Sequence, residues 1–247
     1  MKLIVCKDYP EMSQKAAALA AESISAEAEP LVSFPGGDTP LGMVEAFVSM
    51  VNDGVVDISR TRYVQLDEWV GLGGEDKGAC AQFNRVNLLE KLNYPFLEYF
   101  LINGLAQDIQ AVCGRLNSFI GRYGPLSLSV LGIGLNGHLG FNEEGVDFNS
   151  NAHIIALSDT TKKIMGKYFD RERSLEYGIT QGIKQIMAAK KVILIANGSH
   201  KASILKRALT GPVSNAVPAS ILQRHPDCYV ITDTEAALEM QAAKQCP

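Results

Sequence analysis

Four short stretches carry residues whose types and spacing could do chemistry. In the first, Gly132-Ile133-Gly134-Leu135-Asn136-Gly137-His138 runs on to Glu143, so a histidine and a carboxylate follow a glycine-rich turn within a few residues. An imidazole takes up and returns a proton near neutral pH, and a carboxylate beside it can fix its tautomer and stabilise the imidazolium. The second is the adjacent pair Asp67-Glu68. On a strand neighbouring side chains point to opposite faces, so both cannot enter one pocket without a bend. The third is Pro35-Gly36-Gly37-Asp38-Thr39-Pro40. Backbone N–H groups converge on such a turn and the following helix start is partly positive, which suits an oxyanion or a phosphate. The same residues also read as a plain turn, with Thr39 as helix cap and Pro40 at the first helical position. Asp38 counts against an anion there unless its side chain points away. The fourth, Asn197-Gly198-Ser199-His200-Lys201, puts a lysine at a helix start. A cation is disfavoured at that end, so Lys201 either meets a bound anion or snorkels outward.

Gly132, Gly134 and Gly137 also satisfy G-x-G-x-x-G, the dinucleotide fingerprint. That motif requires an amphipathic helix directly after the turn and an acid about 20 residues on. His138 to Gly145 has no apolar helical stripe and adds two glycines, and no strand pattern leads into Asp159. The loop is therefore read as presenting His138 and Glu143, with no bound nucleotide.

These stretches need a scaffold that brings them to one edge. The runs Leu3–Cys6, Leu31–Phe34, Thr61–Leu66, Leu97–Leu101, Leu126–Leu131, Val192–Ala196 and Cys228–Thr232 predict strands, those at Leu31–Phe34, Leu126–Leu131 and Val192–Ala196 buried, with a weaker one at Asn151–Leu157. Helical periodicity predicts helices over Met12–Ile24, Leu41–Val51, Cys80–Leu92, Asp108–Tyr123, Thr160–Phe169, Thr180–Ala189, Lys201–Leu209 and Ser220–His225, with a polar alanine-rich helix ending the chain. Val70–Gly78 is glycine-rich and polar and reads as a mobile loop. Alternating strands and helices imply an α/β fold, a mostly parallel sheet covered by helices on both faces. Ligands bind such sheets at the carboxyl ends of the strands, where all four stretches fall.

The 247 residues suffice for one large domain spanning 1–247, and no linker, repeat or low-complexity tract divides them. A net charge of -4 argues against a nucleic-acid partner. Five scattered cysteines without C-x-x-C spacing read as reduced thiols of a cytoplasmic protein. Neither a signal peptide nor a membrane-spanning run is apparent.

Taken in order and spacing, Gly36-Gly37-Asp38-Thr39-Pro40, Leu66-Asp67-Glu68-Trp69 and Gly132 to Glu143 resemble the glucosamine-6-phosphate deaminase family, including its galactosamine-6-phosphate deaminase/isomerase branch. The resemblance covers nearly the whole chain, and its most specific part is Gly137-His138-Leu139-Gly140-Phe141-Asn142-Glu143. It implies a modified Rossmann-like fold without nucleotide, cofactor or metal. It implies conversion of an amino-sugar phosphate to a ketose phosphate and ammonia. By the same resemblance Asp67 is the base for the proton on C2, and His138 the ring-opening group assisted by Asn136 and Glu143. Gly36, Gly37, Asp38, Thr39, Lys167 and Lys201 would surround the phosphate. The expected partner is a small sugar phosphate, and the chain is compatible with a homo-oligomer.

Some positions leave the family pattern. Asn136 stands where many relatives carry aspartate, and it can orient but not titrate. Asp38 replaces glycine or serine, and Glu144 replaces proline. Lys167 replaces a phosphate-gripping arginine, supplying charge without a bidentate fork. Trp69 and Ala152-His153 lean toward the galactosamine branch. Two rival readings differ in class. A 6-phosphogluconolactonase-like hydrolase shares the fold, but Trp69 and Phe141-Asn142-Glu143 speak against it. A non-catalytic sugar-phosphate sensor would need a DNA-binding module, and the sequence carries no basic helix for one.

Overall fold

The computed structural model describes residues 1–169 and 173–242. Its strands are β1 (Lys2–Cys6), β2 (Leu31–Ser33), β3 (Arg62–Val64), β4 (Asp67–Trp69), β5 (Glu98–Phe100), β6 (Leu128–Leu131), β7 (His153–Ala156), β8 (Tyr177–Thr180), β9 (Lys191–Ala196) and β10 (Cys228–Asp233). The α-helices are α1 (Tyr9–Ser25), α2 (Asp38–Asn52), α3 (Cys80–Asn87), α4 (Ile109–Tyr123), α5 (Asp159–Met165), α6 (Ile183–Met187), α7 (Ala202–Thr210) and α8 (Leu238–Ala242).

Seven strands form one parallel sheet in the order β1-β10-β9-β6-β2-β3-β5. Its centre is apolar on both faces because successive strand residues alternate. Val192, Leu194 and Ala196 of β9 enter one core, and Ile193 and Ile195 enter the other. The first core also takes Val112, Leu116 and Ile120 of α4 and Leu205 of α7. The second takes Met12, Ala16, Ala17 and Ala20 of α1 with Val44 and Phe47 of α2. The mostly parallel sheet with helices on both faces is thus present as expected. From β2 the chain continues to β3, whereas from β6 it continues toward β9, so the order reverses between β2 and β6. An open sheet leaves a crevice at such a reversal.

A second sheet, β4-β8-β7, is antiparallel. It corrects two expectations. The helix expected over Thr180–Ala189 begins only at Ile183. Thr180 instead ends β8, opposite Asp67 of β4 and His153 of β7. The strand through Thr61–Leu66 likewise does not run straight into Asp67. Gln65 breaks it: its side chain donates to the carbonyl of Asp67 at 2.7 Å and accepts from the Ile102 N–H at 2.9 Å. That bend lifts Asp67-Glu68-Trp69 out of the large sheet. Gln181 ties the sheets together, its amide donating to Ser33 Oγ and to the Gln65 carbonyl, both at 2.9 Å.

Several helix ends also differ. α3 stops at Asn87 and gives way to a 3-10 turn at Leu89–Lys91, and α5 passes into another at Gly166–Tyr168. Ser199–Lys201 is a 3-10 turn before α7, and the short helix expected over Ser220–His225 is a 3-10 helix over Pro218–Arg224. α2 starts at Asp38, with Gly37 (φ 114°) as its cap, so Thr39 is not the cap expected. Residues 70–78, expected to be mobile, are tied down: Gly71 N–H donates to the Gly104 carbonyl at 2.8 Å, Leu72 is buried, and Arg173 pairs with Asp76 at 2.9 Å. Among the described residues no helix is long and apolar enough to cross a membrane.

Candidate active site

The glycine loops after β2, β6 and β9 leave three neighbouring parallel strands at the same edge. They enclose a cleft of about 690 Å³, also lined by Asp67, Cys80 and Phe83. This is the size of a small-molecule site. Asp67, Asn136 and His138 line it, as do Gly36, Gly37, Asp38, Thr39, Lys167 and Lys201. Glu143 stands behind His138, 4% exposed.

The β6 loop is built around the imidazole. The Gly134 N–H donates to the His138 carbonyl at 3.1 Å, folding the loop back on itself. The ring then lies so close to Gly134 that a Cβ there would be 2.3 Å from His138 Nε2. Only glycine admits this approach. On the other side of the ring, Nδ1 lies 3.2 Å from Thr161 Oγ1 and 3.5 Å from Glu143 Oε2. Thr161 Oγ1 spends its single proton on Glu143 Oε1, at 2.5 Å. It therefore accepts from Nδ1–H, which leaves Nε2 as the nitrogen with a free lone pair in the neutral ring.

Glu143 is held by three residues, one from its own loop and two from the start of α5. Asn136 Nδ2 donates to its Oε2 at 2.6 Å, Thr161 of α5 holds Oε1, and the Ser158 N–H approaches Oε1 at 3.4 Å. Burial works to raise its pKa, but His138, Thr161 and Asn136 together hold it down to about 2. A stable carboxylate thus faces the inner imidazole nitrogen. Its neighbour Asn142, fully buried, donates to the carbonyls of Leu139 and Gln181 at 2.7 and 2.8 Å, fastening the loop to the end of β8.

Asp67 and Glu68 separate as strand alternation requires. Asp67 faces the cleft, where burial pushes its carboxyl up to about 6 against the opposing influence of the Cys80 thiol and His138. A Cβ on Gly140 would be 3.3 Å from Asp67 Oδ2, so the His138 loop passes directly over this carboxylate. Glu68 points away and accepts from the N–H groups of Trp69, Cys80 and Ala81 at 2.8, 3.1 and 2.6 Å. It closes the open start of α3 in place of a cap. Trp69 packs on Phe141, ring centroids 4.6 Å apart, and so props the same loop from below.

Elsewhere in the cleft, Thr39 Oγ1 donates to Asn197 Oδ1 at 2.6 Å and joins the β2 and β9 loops. No side chain caps α2, and its first residues, Asp38 to Leu41, line the cleft, leaving the helix start uncapped there. Lys201 turns inward: Nζ donates to the Ile133 carbonyl at 2.6 Å, and burial, then the charge of Lys167, lowers it to about 8. Asp38 Oδ2 and Lys167 Nζ are 2.5 Å apart.

The sequence profile described as glucosamine-6-phosphate isomerases/6-phosphogluconolactonase matches residues 9–230. The chain belongs to this family. A family relative named glucosamine-6-phosphate deaminase from Lachnoclostridium phytofermentans is 39% identical over 232 residues, 94% of this chain and 98% of the relative. Another of that name from Clostridium perfringens is 37% identical over 238 residues, 96% and 98% of the two chains. Among solved structures, a monomeric glucosamine-6-phosphate deaminase superposes with a TM-score of 0.91 at 30% identity, covering 97% of this chain and all of that one. A 6-phosphogluconolactonase from Trypanosoma brucei, at 16% identity, has a TM-score of 0.72, covers 97% of this chain and 98% of its own, and shares the fold.

Every residue that the family resemblance nominated lies in or directly behind the cleft. Sequence reasoning missed Thr161 and Ser158. The Ser-x-x-Thr spacing marks a helix start, and Ser158 does cap α5, but nothing local links Thr161 to Glu143. It also missed Cys80, Asn197 and His200 as lining residues. Glu144, at the position where the family pattern has proline, is exposed.

Proposed function

We propose that the chain is an amino-sugar-phosphate deaminase/isomerase that converts glucosamine-6-phosphate or galactosamine-6-phosphate to the ketose 6-phosphate and ammonia. The observation that carries this reading is the pairing, in one cleft, of an inward-turned lysine and open helix start at one end with Asp67 and the His138–Glu143 pair at the other. The phosphate is held by the Gly36–Thr39 backbone and Lys201, with Lys167 at the mouth. Binding that remote group orients the reacting carbons.

His138 Nε2 takes the proton of the anomeric hydroxyl and returns it to the ring oxygen, opening the ring. Glu143 balances the transient imidazolium, and Asn136 holds Glu143. Asp67 then removes the proton from C2 of the ammonium form and delivers it to C1, while one ammonium proton passes to the C1 oxygen, so that the C1 carbonyl becomes an alcohol and C2 becomes an iminium. Water adds at C2 and ammonia leaves. Every step is a proton movement or addition that these side chains can manage. Asp67, raised by burial, is a stronger base than an exposed aspartate.

The rival is lactone hydrolysis, which the family's description also covers. Purified protein is assayed side by side with glucosamine-6-phosphate, galactosamine-6-phosphate and 6-phosphogluconolactone. Ammonia and ketose phosphate from either amino sugar is the expected outcome. Lactone hydrolysis without ammonia would overturn the proposal.

A further inference from the structure

Asp38 and Lys167, two positions that leave the family pattern, lie 129 residues apart in the chain and touch in the fold, Nζ to Oδ2 at 2.5 Å. The contact sits at the mouth of the cleft, with the side chains 67% and 55% exposed, and both residues line it. Asp38 is firmly seated. It is the first residue of α2, and its carbonyl accepts from Tyr9 Oη at 3.0 Å, while that oxygen accepts from the Gly42 N–H at 2.8 Å. A carboxylate therefore stands at an open helix start, on the lysine that faces the same space. Lys201, the inner cation, meets a backbone carbonyl rather than a carboxylate.

We propose that Asp38 is a built-in competitor for the phosphate at Lys167. Its carboxylate occupies the lysine in the free protein and must be displaced by a phosphate monoester dianion entering the cleft. An exposed pair of this kind holds weakly, so a dianion that also reaches Lys201 and the α2 N–H groups displaces it. An anion that reaches Lys167 alone gains little. The pair thereby sets a threshold for phosphate affinity and selects ligands that are anchored at more than one point. This inference rests on the proposed function, which assigns this end of the cleft to the phosphate.

The test is calorimetric titration of the full chain with inorganic phosphate at low salt. Asp38→Asn is expected to tighten binding about two- to fivefold, the range an exposed ion pair allows, and Asp38→Ser to do the same. Lys167→Gln should weaken binding and abolish the gain from Asp38→Asn. Glu45→Gln, which removes a charge from an exposed α2 position outside the cleft, should change nothing. No gain in Asp38→Asn, a gain that survives in Lys167→Gln, or an equal gain in Glu45→Gln would each overturn the competition. Lys201→Gln separates the two levels. If it weakens phosphate binding while Asp38→Asn does nothing, only the competition fails. If phosphate does not bind, or binds indifferently to Lys201, the phosphate assignment falls and the competition falls with it.

Discussion

Asn136 donates to Oε2 of Glu143 at 2.6 Å, the same oxygen that lies 3.5 Å from His138 Nδ1. The amide thus completes the carboxylate without competing with it for charge. Asn136→Asp replaces that donor by a second acceptor and sets two carboxyl groups on one proton. At pH 7.5 the variant should lose about 1–3 kcal/mol of stability, the cost of breaking a part-buried hydrogen bond to a charged group. Its activity should acquire an extra ionisation in the acidic limb. Thermal melts and a pH–rate profile check both.

Thr161 acts at one remove, through Glu143 and His138. Thr161→Val keeps the shape and removes the hydroxyl, leaving Glu143 Oε1 short of a donor. A loss of about 1–2 kcal/mol corresponds to roughly 5- to 30-fold in kcat, with little change in KM. Thr161→Ser should recover most of it. A fall in KM-dependent binding with kcat intact would contradict this arrangement.

The Asp67 carboxyl, raised to about 6 by burial, must be ionised to act as a base. kcat/KM should fall below pH 6, and Asp67→Asn should abolish exchange of the C2 proton with solvent while substrate still binds. Raising this pKa also costs stability. The cost is absent below the unfolded value near 4, grows as pH rises toward 6 and is full above it. The shift from 3.8 to about 6 amounts to about 3 kcal/mol. Asp67→Asn should therefore stabilise the protein by up to about 3 kcal/mol at pH 7.5 and by almost nothing at pH 4, which chemical denaturation at the two pH values measures.

Lys201, lowered to about 8 by burial and the charge of Lys167, loses its proton as pH rises through that value. A bound phosphate dianion opposes the loss. KM should rise above pH 8 while kcat stays level, and Lys201→Gln should raise KM at neutral pH and remove this limb of the kcat/KM profile.

The large sheet was legible because β9 carries the continuous apolar run Val192–Ala196 and β6 the mainly apolar Leu126–Leu131, each followed by a glycine turn, a pattern that follows from burial on both faces. The opposed directions of Asp67 and Glu68 followed from strand alternation alone. β8 was not legible. Tyr177, Ile179 and Thr180 favour a strand, but the run is four residues long and Gly178 interrupts it; that glycine is the position where Phe141 lies so close that a Cβ would be 2.4 Å from its ring. Nor could the ties of Thr161 to Glu143, 18 residues earlier, or of Asp38 to Lys167 be read from spacing. They depend on where the segment from Asp159 to Tyr168 is laid against the cleft.

Gln181, which fastens β2 to the bend before β4, fixes the interval between the loop assigned to the phosphate and the carboxylate of Asp67. On the proposed reading the cleft works as a calliper. With the phosphate seated, only a carbon chain of one length brings its second carbon under Asp67. On that reading a pentose phosphate, one carbon shorter, is expected to bind and yet leave the base out of reach, so that span adds to the selection made by the groups a sugar carries.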